Sequence, residues 1–144
     1  MARTGLLTVA VPARNLAAAP LYVGELLERM EIRIIRTLMS RHDLNEMAKQ
    51  QFGDMVKAVI DIELGIMAIG GELHSDEEAV LLDQGSAQRN LWGVNLYPEK
   101  PVQEWIEFDS MINVRPSGGN RSRFVESAET REVVTKIVNR LVER

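Results

Sequence analysis

Apolar and polar positions change period several times along the chain, and each change marks an element. Val56, Ala58, Ile60 and Ile62 alternate with Lys57, Val59, Asp61 and Glu63, the two-residue period of a strand. Gly65 supplies a turn, Ile66 to Ile69 returns as the partner strand, and Gly70 with Gly71 permits a bend. A shorter alternation from Glu31 to Thr37 predicts a first strand. Two more are expected at Leu91 to Tyr97 and Trp105 to Val114, joined by a long hairpin, with Ile106, Phe108, Ile112 and Val114 on one face.

Between these stretches the pattern becomes helical. The spacing of Asp43 and Glu46 suits a capped start, so a helix is expected from Leu44 to Gln51, stopped at Gly53. Ser75 and Glu78 have capping-box spacing and predict a short acidic helix from Asp76 to Gln84, with Gly85 just past its end. Val133, Val134, Ile137, Val138, Leu141 and Val142 form the apolar stripe of a last helix, Ala128 to Val142. The order is βαββαββα. It predicts an α+β domain: a mainly antiparallel sheet with helices packed on one face. The expected core includes Ile60, Ile62, Val94, Phe108, Ile112, Ile137 and Leu141, and the aromatics Trp92, Tyr97 and Trp105 are assigned to the sheet.

Residues 1–29 differ from the rest. They are alanine-rich, contain Pro12 and Pro20, and hold no sustained period beyond a short stretch at Leu21 to Glu28. A poorly structured extension is expected there, with Met30 as an alternative start and residues 30–144 as a single domain. The opening imitates a signal peptide, but Pro12 and Arg14 break its apolar run, so a cytoplasmic location is expected.

Composition narrows the chemistry. With 144 residues, 45% of them hydrophobic, there is material for one core. A net charge of −4 repels polyanions, so neither nucleic acid nor a membrane is expected as partner. The absence of cysteine removes thiolate chemistry, and two histidines are too few for a histidine-rich metal site. No cofactor motif is recognised, and neither cofactor nor metal is expected.

Four blocks stand out: FGDMVKAVIDIE at 52–63, GGELH at 70–74, NLWGVNLYP at 90–98 and INVRPSGGNRS at 112–122. With them the chain resembles an uncharacterised domain-of-unknown-function family of small prokaryotic proteins, from about Met30 to Arg144. The resemblance implies domain limits and no established activity.

Two segments carry candidate chemistry. Glu72, His74 and Asp76 sit two apart, so in an extended chain they share a side and suit acid–base work or an oxygen-rich metal site. Against this, Asp76 is also explained as a first-turn helix acid. The loop after Val114 brings Arg115, Asn120, Arg121 and Arg123 around Gly118 and Gly119, a composition suited to an anion. Its arginines equally suit pairing with the acidic run from Glu72 to Asp83, within one subunit or across a homo-oligomer. The candidate site is therefore Glu72, His74, Asp76, Arg115, Asn120 and Arg121. The favoured function is a binding or regulatory domain for a small anionic ligand or a protein. The alternative is a small hydrolase or nuclease-like enzyme using His74 with Glu72 or Asp76 and the loop arginines. The residues alone leave open whether the chain is an enzyme.

Overall fold

A computed structural model describes residues 31–143. The extension expected at residues 1–29 lies outside the described residues. The elements run β1 (Arg33–Ile35), α1 (Arg41–Gln50), β2 (Val56–Asp61), β3 (Ile66–Ile69), α2 (His74–Asp83), β4 (Leu91–Leu96), β5 (Ile106–Glu107) and α3 (Ala128–Leu141). This is the expected βαββαββα order and α+β class. The strands form one antiparallel sheet in the order β1-β3-β2-β4-β5.

Central strand β2 pairs Val59 with Ala68 on one side and Ala58 with Val94 on the other. Alternation then sends its side chains to two separate cores. Ala58 and Ile60, with Met67, Ile69, Val94 and Leu96, pack beneath Leu44 and Ala48 of α1 and Val134, Ile137, Val138 and Leu141 of α3. Val59, Ile66, Ala68 and Leu91 pack with Ile32 and with Leu81 of α2. The helices are thus divided between the faces, a correction to the one-sided packing expected. The signal lay in β3, where all four residues are apolar and buried, as a strand covered on both sides must be.

The second half of the long hairpin also differs. β5 ends at Glu107, and Ser110 then caps a 3₁₀ turn, Met111–Asn113, accepting from the Ile112 amide at 3.2 Å. The turn breaks the alternation, so Phe108 packs against the larger core and Ile112 against the smaller. Both are only partly buried, as is Ile62, whereas Ile60, Val94, Ile137 and Leu141 are core residues as expected.

Helix starts decide where the polar side chains go. α1 begins earlier than expected because Ser40 caps it, accepting from Asp43 N at 2.9 Å. α2 also begins early, at His74, with Leu73 as N-cap and no side-chain capping bond. The Ser75–Glu78 capping box is therefore not formed. Gly85 does lie just past the helix end, at φ +115°.

Candidate functional site

The early start of α2 sets the phase of everything on it. With His74 as its first residue, Glu77 and Leu81 follow on the same stripe, and all three are buried against the sheet. The His74 ring reaches β4, where Nε2 lies 2.8 Å from the Val94 carbonyl. A carbonyl only accepts, so Nε2 carries the proton and Nδ1 keeps the lone pair. Burial holds this imidazole at about 4, below its ordinary 6.5, against the opposing pull of the Val94 bond. His74 is neutral at physiological pH.

Glu77 is fully buried, and its Oε2 accepts from Gly71 N at 2.9 Å. Among the described residues its Oε1 has no partner. Burial pushes this carboxyl well above its ordinary 4.5, outweighing the Gly71 bond and the field of Lys57. A neutral base and a raised acid therefore sit one helical turn apart.

Gly93 makes room for the cluster. A Cβ there would fall 2.6 Å from Ser110 Cβ and 3.2 Å from His74 Cδ2, so both side chains occupy the space above this glycine. Asn113 fastens the Ser110 turn to the same strand: its Oδ1 accepts from Gly93 N at 2.9 Å and its Nδ2 donates to Gly93 O at 3.0 Å. It also donates to Arg123 O at 2.9 Å, and Ser110 N donates to the same carbonyl at 3.1 Å. These bonds bring Arg123 beside His74. Arg123 Nε pairs with Asp109 Oδ1 at 2.6 Å. Lys57, Ser75 and Arg123 join His74 and Ser110 around a cleft of about 180 Å³, with Leu73, Met111 and Ile112 as its apolar part.

The model of one protein family matches residues 33–141. The chain belongs to the DUF5674 family, described as proteins of unknown function. No curated protein and no solved structure matches it. The DUF5674 match begins at the first residue of β1 and ends at the last of α3, so every element and every residue of the cleft lies within it.

In this DUF5674 domain only His74 of the six sequence candidates lines the cleft. Glu72 is exposed before the helix, and Asp76, two residues into it, points away from the stripe that carries His74. Extended geometry would have aligned the three; helical geometry instead puts Glu77 on the His74 stripe, where it bonds Gly71 and does not line the cleft. Among the described residues no three of His, Cys, Asp and Glu are grouped to hold a metal ion.

The loop residues are mostly structural. Arg115 donates to Gln88 O at 2.6 Å and Leu91 O at 2.7 Å, and its guanidinium lies 4.1 Å from the Trp92 ring centroid. Asn120 Nδ2 donates to the carbonyls of Asn113, Ser122 and Phe124, while its Oδ1 accepts from Glu126 N. Arg121 is exposed, its backbone amide donating to Glu126 at 3.1 Å. Arg123 lines the same cleft as His74, but its ion pair is with Asp109 and not with the acidic run from Glu72 to Asp83. Lys57 and Ser110, which line the cleft, and Asn113, which ties its turn to β4, were not among the sequence candidates. A glycine at 93 within an apolar strand was the available signal for close approach.

Proposed function

We propose that this is a cytoplasmic domain that binds a small anion in the cleft between the start of α2 and the Met111–Asn113 turn. The observation that carries the reading is the convergence of two cations, Lys57 and Arg123, on one cleft that also holds neutral His74. The opening of α2 adds to it, because its first amides have no side-chain cap and its dipole favours negative charge there. Titration calorimetry with inorganic phosphate and with acetate at low salt tests this. Lys57→Ala or Arg123→Ala is expected to weaken binding about tenfold or more, the usual loss for a charge-assisted bond, with unfolding temperature nearly unchanged. Absence of binding by either anion to the wild-type chain sinks the proposal.

A second reading, hydrolysis of a phosphoester, is favoured by the pairing of a neutral imidazole with two cations in the same cleft. Here His74 is the general base and Glu77, in place of Glu72 or Asp76, is the carboxyl on its helix face. Turnover of bis-(p-nitrophenyl) phosphate that disappears in His74→Gln supports this reading; no turnover by wild type leaves binding alone.

A further inference from the structure

We infer that the ligand of this cleft is a monocarboxylate with a short apolar skeleton, an inference that rests on the anion-binding reading above and narrows it. Two independent features of the same cleft point there: its charge count and its exposed apolar side chains.

Lys57 and Arg123 are the charged groups that line the cleft, and Asp109, 2.6 Å from Arg123, offsets one of them. His74 faces the cleft without charge. The remaining imbalance is a single positive charge, which a carboxylate matches. A phosphate dianion would bring a second negative charge close to Asp109. Like charges at such range repel, the more so at low salt.

The apolar part is supplied by Leu73 and Met111, which are 57% and 64% exposed while lining the same cleft, with half-buried Ile112 beside them. Large apolar groups left in water at the edge of a charged cleft gain most from a ligand that covers them. Lys57 is half-buried beside the buried His74 and Ser110, whereas Arg123 is exposed, so the charged end of a ligand belongs between these two cations and its carbon chain against Leu73 and Met111. A volume of about 180 Å³ falls below the roughly 300 Å³ at which pockets for drug-sized ligands begin, which limits the skeleton to a short chain.

The test is calorimetry on the full chain with inorganic phosphate, acetate, butyrate, hexanoate and octanoate at one pH and ionic strength. Acetate is expected to bind more tightly than phosphate. Affinity is expected to rise about fourfold per methylene and to level off near hexanoate. The double variant Leu73→Ala with Met111→Ala, both at exposed positions, is expected to flatten that rise, read as the ratio of hexanoate to acetate affinity within the same variant. Lys57→Ala is expected to weaken every carboxylate alike. Binding of acetate and phosphate with no dependence on chain length overturns this inference and leaves the anion reading standing, as does tighter binding of phosphate than acetate. A rise with chain length that persists in the double variant places the skeleton elsewhere and also overturns it. Failure of every anion to bind removes both readings together.

Discussion

At Gly93 a methyl group would meet Ser110 Cβ at 2.6 Å and His74 Cδ2 at 3.2 Å, and neither neighbour is free to yield. Ser110 is tied into its turn through Oγ and through its amide to Arg123, and His74 is tied to Val94. Gly93→Ala is therefore expected to destabilise by about 1–3 kcal/mol, the usual range for overpacking, as read from urea unfolding. A neutral result would show that the turn moves freely. His74 and Glu77 depend on pH in opposite senses. The His74 pKa is depressed from 6.5 to about 4, so its contribution is present above pH 6.5 and lost as pH falls toward 4, about 3 kcal/mol in all. The Glu77 pKa is raised, so its contribution is present below about 4.5 and lost as pH rises. Glu77→Gln keeps an acceptor for Gly71 and removes the ionisation. Its stability relative to wild type should grow with pH above 4.5; parallel pH–stability curves would mean that Glu77 is ionised in the native state.

Element boundaries account for most of the displaced candidates. Had α2 begun at Asp76, His74 would have stayed in the extended segment beside Glu72. Leu73 in the N-cap position instead starts the helix two residues earlier and rotates His74 and Glu77 inward. Because that cap has no side-chain bond, Leu73→Ser is expected to stabilise the domain by about 0.5–1 kcal/mol, since a serine hydroxyl can accept from a first-turn amide. Thermal unfolding checks it, and a fall in midpoint would show that the leucine packs better than its 57% exposure implies. Gly85 and Ser127 behaved as local chemistry requires: one closes α2 at positive φ, the other caps α3 by accepting from Thr130 N at 3.1 Å.

Across the whole molecule, two layers of helix on one sheet decide which large side chains matter. Trp105 is fully buried in the larger core, its Nε1 donating to Asn139 Oδ1 at 3.3 Å, and Arg41 lies over its ring. Phe108 is only partly covered, meeting Phe124 edge-on at a centroid distance of 6.3 Å. Trp105→Ala is thus expected to cost about 3–5 kcal/mol and Phe108→Ala distinctly less. Equal losses in chemical denaturation would mean that the end of the hairpin is better packed than its exposure indicates.

The element order, the turn at Gly65, the close of α2 at Gly85 and the buried stripe of α3, apart from Val133, which is exposed, were legible in the sequence, because each follows from local periodicity or from one residue's backbone freedom. The division of helices between two faces was written only faintly, in the unbroken apolar run of β3. The cleft was not legible. Lys57 comes from β2, His74 from α2, Ser110 and Arg123 from either side of the Asn120 loop, and their meeting depends on Asn113 bonding to Gly93. Periodicity tells which side of an element a residue occupies; only the packed fold determines what lies against that side.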